Sequence, residues 1–372
     1  VGSLARPKDL MDMLIARNEG KSYDSGALAK RTREAVAEVV EKQIDCGVDI
    51  VNDGELGKSN FSRYTRERLS GFVERAADPN FKPTSIFGRD MIEFNEYFNR
   101  GGRTAIGHHA RVFYCVEPLQ YVGQDEVKSD IDNLKAALQG KEVEEAFLPA
   151  IAPGTMEHWM KNEHYPTQEA YLFAIADAMR EEYKAIVDAG FVLQIDDPDL
   201  ADAWQMHPEM SVADYRKYQE MRIGALNHGL RDLPTDRIRF HMCWGSYHGP
   251  HKYDIPLKDI ADLILKVRAG AYSIEASNPC HDHEWRVWEE VKFPDGKIFI
   301  PGVVGHYSDF IEHPRAIADR LARYAKIIGR ENVIAGTDCG IGSRVGHPQV
   351  GWAKFQAMAE GARIATKELW AR

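Results

Sequence analysis

The feature that most constrains the fold of this 372-residue chain is a recurring alternation of short apolar runs with longer segments of helical periodicity. The runs 49–53, 146–151 and 192–196, and those ending near His241, Glu275, Val303 and Asp338, each read as a strand. Segments 27–46, 168–189, 212–229, 314–328 and 352–369 repeat their apolar positions at the spacing of an amphipathic helix. Most of the strands are apolar throughout, as parallel strands covered on both faces must be. Val1-Gly2-Ser3 reads as the tail of a first strand whose beginning precedes this numbering, which brings the count to eight strand–helix units. That pattern predicts an α/β fold, a (β/α)8 TIM barrel.

Between about residues 57 and 140 the rhythm breaks. The run Ala110-Arg111-Val112-Phe113-Tyr114-Cys115-Val116 is rich in branched and aromatic residues and predicts a β-hairpin there. The expected organisation is one barrel domain over 1–372, with this long insertion after the second strand.

Polar residues fall where such a fold would use them. Glu55, Asp196, His241, Cys243, Glu275 and Cys339 all lie at or just beyond strand C-termini. A barrel gathers those ends on its catalytic face, so residues far apart in sequence would meet around one pocket. His241 and Cys243 are two apart in a strand and share a face. With Cys339 they supply one imidazole and two thiolates, a donor set that suits zinc (Zn2+) with an exchangeable fourth position. A sulfur-rich zinc site is a weak Lewis acid that leaves a bound thiolate nucleophilic, which points to thiol alkylation. Glu275 is costly to bury alone; it reads either as a fourth ligand displaced by substrate or as the partner of a nearby Arg or His. Glu55 and Asp196 have two readings as well, as helix caps or as receivers of a cationic group such as a substrate amine. Among His248, His251, His281, His283 and His306, the last follows a strand most directly and is the candidate general acid. Cys46, Cys115 and Cys280 are expected to be bystanders.

Composition removes other classes. A formal charge of −10 argues against a protein that tracks a nucleic-acid backbone. No apolar run reaches membrane-span length and no signal peptide is visible. Five cysteines without regular spacing do not suggest a disulfide scaffold, so the cytoplasm is the expected compartment. Oligomeric state stays open.

The stretches Val1-Gly2-Ser3, Asp53-Gly54-Glu55, Gln194-Ile195-Asp196-Asp197-Pro198, His241-Met242-Cys243, Ile274-Glu275 and Asp338-Cys339-Gly340 together resemble the catalytic domain of cobalamin-independent methionine synthases and their single-domain relatives. The resemblance implies zinc held by His241, Cys243, Glu275 and Cys339. It implies a thiol acceptor, homocysteine, bound as a zinc thiolate, with its amine at Glu55 and Asp196 and its carboxylate near the backbone of Gly2 and Ser3. It also implies a 5-methyltetrahydrofolate donor lying against Thr155, Met156 and Trp159. The family's catalytic histidine closes a Gly-Val-Tyr-Asp-Ile-His run, whereas His306 comes one residue early here. The run Cys243–His251 and the segment His283-Glu284-Trp285 are closer to short relatives that include epoxyalkane:coenzyme M transferases. Opening of an epoxide by a zinc-bound thiol, with Arg344 as an anion-binding group, is therefore an alternative. A zinc-bearing binding protein without turnover is another.

Overall fold

The computed structural model describes residues 2–58, 61–76, 85–99, 111–342 and 344–371; Val1 and Ala110, used in the readings above, lie outside them. Ten strands are described: β1 (Ile50–Asn52), β2 (Leu69–Ala76), β3 (Arg111–Tyr121), β4 (Glu145–Ile151), β5 (Met160–Asn162), β6 (Val192–Asp196), β7 (Ile238–Met242), β8 (Ala271–Ile274), β9 (Ile298–Val304) and β10 (Gly336–Thr337). Seven of them form one parallel sheet in the order β1-β4-β6-β7-β8-β9-β10. The sheet curls into the TIM-barrel-like α/β architecture that the strand–helix alternation predicts. β6 and β7 are buried along their whole length, and β4 at all but its first residue.

The helices follow from local sequence. Thr167 caps the helix Gln168–Asp188 by accepting from Ala170 N, and Ser211 caps Val212–Gly229 by accepting from Asp214 N. Pro at the first turn starts both Pro314–Ile328 and Pro348–Leu369, where the missing N–H costs nothing.

One detail departs from the eight-strand count. Gly2 to Arg6 form no strand; instead Leu4 N donates to Gly54 O beyond β1, and Gly342 N donates to Ser3 O beyond β10. This segment therefore ties the two ends of the open sheet together at the site end. A cavity of about 460 Å3 runs along the seam, between β1, β10 and the last helix, lined by Ile50, Phe147, Ile300, Phe355, Met358 and Trp370 among others.

Between β1 and β4, β2 and β3 pair antiparallel with a register shift between Ser70 and Phe72, and β5 adds to β3 in parallel. Residues 85–99 dock on the loops after β6 and β7. Arg89 donates to the backbone oxygens of Trp204, His207 and Met210, and Phe87 packs edge-on to Tyr247 at 4.4 Å.

Candidate metal and substrate site

Strand register assembles the site. β6 pairs with β7 so that Asp196 faces His241, and β7 pairs with β8 so that His241 faces Ser273. Ladder-like bonds continue past the strand ends, from Asp197 N to His241 O, Glu275 N to Met242 O and Asp338 N to Val304 O. They fix the backbone on which the functional side chains stand. Below this level the interior is polar too: Arg239 donates to Gln194 Oε1 at 2.7 Å, and Gln194 donates to Asp196 Oδ1 at 2.7 Å.

His241, Cys243 and Cys339 place one ligand atom each within 4.8 Å of one another. The two sulfurs are 3.7 Å apart, with Cys243 donating to Cys339, and Ser246 Oγ donates to Cys339 at 3.2 Å. The hydrogen bond from Cys243 holds the Cys339 thiol well below the usual range, helped by His241, while Cys243 keeps the shared proton and is pushed well up. His241 Nδ1 lies 3.3 Å from Ser273 O, whereas its buried Nε2 has no hydrogen-bond partner. A buried, unpaired imidazole nitrogen beside two sulfurs, one of them poised as thiolate, is the donor set that a tetrahedral N/S metal ion requires. The residues fit zinc.

Glu275 belongs to a second, neighbouring group. Its carboxylate groups with His306 and Asp338, again within 4.8 Å of one another. Trp244 N donates to Glu275 Oε2 at 2.8 Å, and the Tyr307 hydroxyl donates to Oε1. Asp338 is held by Ala276 N, Ser277 N and Ser277 Oγ at 2.8, 2.9 and 2.5 Å. Burial, with Glu275 nearby, pushes its carboxyl well up. His306 is fully buried, with both ring nitrogens unpaired, and its pKa is pushed down by burial against the pull of Cys339 and Glu275.

Glu55 and Asp196 line one small cavity with Lys58, Tyr64 and Pro149. Burial pushes Asp196 up to about 7, opposed by His241 and reinforced by Glu55. Glu55 is raised by burial against the charges of Lys58 and Arg6. It sits in a left-handed turn (φ 56°) shaped by Asn52 and Asp53, whose side chains accept from Gly54 N and Glu55 N. Gly2 also has positive φ, and a Cβ there would overlap Glu55 Oε1. Ser3 packs on Gly340, next to Cys339, where an added Cβ would come within 3.0 Å of Ser3 N and Oγ. Gly2 and Ser3 thus lie between the carboxylate cavity and the cysteine pair.

Thr155 donates to Asp197 Oδ1 at 3.0 Å, and Trp159 ends the same short helix, stacked on His158 at 4.4 Å. Arg344, His248 and His283 are exposed. His251 and His281 are buried and satisfied, both through Asp254. Cys46 and Cys115 are spent on backbone carbonyls at Trp352 and Glu117, and Cys280 is exposed. From the sequence alone Tyr307 and Trp244 have no role, and Asp338 is only the strand-end neighbour of Cys339 in the stretch Asp338-Cys339-Gly340. The only available signal was the position of Asp338 and Trp244 next to the two cysteines.

Residues 137–363 match the family model described as "Cobalamin-independent synthase, Catalytic domain". Over 371 residues the chain is 22% identical to a methionine synthase of Thermococcus kodakarensis, covering 99% of this chain and 93% of that one. Its fold is similar to a B12-independent methionine synthase from Shewanella sp. W3-18-1 in complex with selenomethionine, with TM-score 0.74, 21% identity and coverage of 100% and 98%. It is also similar to a putative vitamin-B12 independent methionine synthase from Listeria monocytogenes, with TM-score 0.68, 18% identity and coverage of 100% and 97%. Among the described residues no helix is long and apolar enough to cross a membrane.

Proposed function

The chain belongs to the cobalamin-independent synthase catalytic-domain family, and from that premise we propose that it is a zinc-dependent S-methyltransferase that moves a methyl group from 5-methyltetrahydrofolate to homocysteine. The observation that carries this reading is the meeting of His241, Cys243 and Cys339 within 4.8 Å of one another, with the His241 nitrogen unpaired. Zinc held by these residues would lower the acceptor thiol's pKa and keep its sulfur nucleophilic near neutral pH.

The chain's own groups account for the rest. Asp196 and Glu55 receive the acceptor's ammonium, and their shared cavity lies on the side of Gly2 and Ser3, whose backbone faces the acceptor's carboxylate. Two buried carboxylates favour an amino-bearing thiol over a sulfonated one, because a second anion there would meet like charge. A sulfur–carbon bond forms as the donor's nitrogen–carbon bond breaks, and the departing amine nitrogen must gain a proton. His306, buried with both ring nitrogens unpaired, relays the proton that the acceptor thiol releases. Thr155 and Trp159 lie on the donor side. Fixing sulfur and methyl carbon in line is the main source of rate.

The test is a panel of thiols added to the zinc-loaded protein, followed by zinc-edge absorption and by methyl transfer from methyltetrahydrofolate. A new sulfur ligand with homocysteine, together with turnover, is expected. A new sulfur ligand with coenzyme M and ring opening of a small epoxide would replace this reading by the epoxide one. No sulfur ligation by any thiol would overturn both.

A further inference from the structure

A single nitrogen of Arg6 reaches from the segment that carries Gly2 and Ser3 to both ends of the turn 55–58: Nη2 donates to Glu55 O and to Lys58 O, each at 2.8 Å. We propose that Arg6 is a positioning residue for the acceptor, whose guanidinium locks this turn onto the segment and so fixes Glu55 where the acceptor's amine arrives. The inference rests on the amino-thiol reading above and deepens it.

Glu55 needs such a hold. It is a non-glycine residue at φ 56°, a conformation that persists where the surroundings over-determine it. The first half of the turn is set locally, by Asn52 and Asp53 accepting from Gly54 N and Glu55 N, and Leu4 N ties it to the segment through Gly54 O. The second half depends on Arg6. Glu55 O accepts from Lys58 N at 3.1 Å as well as from Arg6, which engages both its lone pairs and fixes the peptide beyond Glu55. Lys58 then reaches across to β4, where Nζ donates to Pro149 O at 2.5 Å beside the cavity that Glu55 and Asp196 share. The charge of Arg6 acts in the same sense: with Lys58 it opposes the rise that burial imposes on Glu55, favouring the carboxylate form that an ammonium needs. Gly2 and Ser3 have their own anchor, Gly342 N to Ser3 O at 3.0 Å, besides the Leu4 bond. Loss of the guanidinium therefore loosens the amine receiver and leaves the carboxylate side in place, whereas an arginine that only stabilised the fold would affect both alike.

The experiment titrates zinc-loaded wild type, Arg6→Met and Arg6→Lys with homocysteine and with 4-mercaptobutyrate, the same thiol without its amine, by calorimetry, and measures zinc retention by chelator competition. Homocysteine should bind Arg6→Met about ten- to a hundredfold more weakly, the span for a hydrogen bond to a charged group. Zinc and 4-mercaptobutyrate should bind it as they bind wild type. Arg6→Lys, which keeps the charge without the planar grip, should shift homocysteine affinity in the same direction by less, and it serves if Arg6→Met does not fold. Equal losses for the two thiols, or an unchanged homocysteine affinity, overturn the positioning role while leaving the methyltransferase reading intact. A wild type that binds the two thiols equally tightly, or gains no sulfur ligand from either, overturns the amine site and the positioning role together.

Discussion

Replacing His241 by leucine separates a metal ligand from a core histidine, because the two roles predict opposite effects with and without zinc. In the metal-free protein, the buried Nε2 lacks a partner and costs about 1–3 kcal/mol. The 3.3 Å contact of Nδ1 to Ser273 O returns about 0.5–1.5 kcal/mol. Leucine of similar volume removes both, so the metal-free variant should match wild type or exceed it by up to about 2 kcal/mol. With zinc the sign reverses. Structural zinc sites contribute about 10–16 kcal/mol over four ligands, or roughly 2.5–4 kcal/mol per ligand, which weakens binding on the order of a hundredfold. At free zinc a hundred times the wild-type dissociation constant, the wild type gains about 2.7 kcal/mol and the variant only about 0.4 kcal/mol. Urea unfolding followed by circular dichroism, in zinc buffer and in chelator, measures both differences. A variant that loses more than about 2 kcal/mol in chelator, yet keeps the full zinc increment, would refute the assignment and make His241 a structural hydrogen-bonding residue.

Two further outcomes follow from buried carboxyls. Asp196, pushed up to about 7 by burial, is neutral below that pH and charged above it, so homocysteine affinity should climb between about pH 6 and 8 and then level. Asp196→Asn should flatten the profile and weaken binding roughly ten- to a hundredfold by calorimetry; an unchanged profile would remove Asp196 from the amine site. Glu182 accepts from the hydroxyls of Tyr64 and Tyr121, and burial pushes it up to about 8 from an ordinary 4.5. Its folded value is raised, so its share of stability is fully present below the unfolded pKa and is lost as pH rises through about 8, at up to about 1.4 kcal/mol per pH unit. Glu182→Gln should abolish that part of the decline in urea midpoints between about pH 5 and 9; a decline equally steep in the variant would place its origin elsewhere.

Much of the candidate site can be read from the chain alone because strand periodicity is local. His241 and Cys243 share a face two residues apart, and Gln194 and Asp196 do the same, which the structure expresses in the Gln194–Asp196 hydrogen bond. The relation of Asp196 to His241 is different in kind. It depends on β6 and β7 pairing in one register among several, and a one-residue slip would point one of the two side chains away. Glu275 shows the limit most clearly. Its strand and position are legible, but where its carboxylate turns is set by Tyr307 from the loop after β9 and by Trp244 from the loop after β7. The docking of Phe87 against Tyr247 is hidden for the same reason, since it joins segments 160 residues apart in sequence.

By itself, then, the sequence determined the alternation of strand and helix, the barrel-like class, and the placing of His241, Cys243 and Cys339 at strand ends, because side-chain period and apolar runs act within a few residues. Only the tertiary structure decided that Gly2 to Arg6 tie the seam as a loop, that the sulfurs lie 3.7 Å apart, and that Glu275 is held by Trp244 N and the Tyr307 hydroxyl. Those outcomes depend on strand register and on donors from distant loops, and no local pattern encodes them.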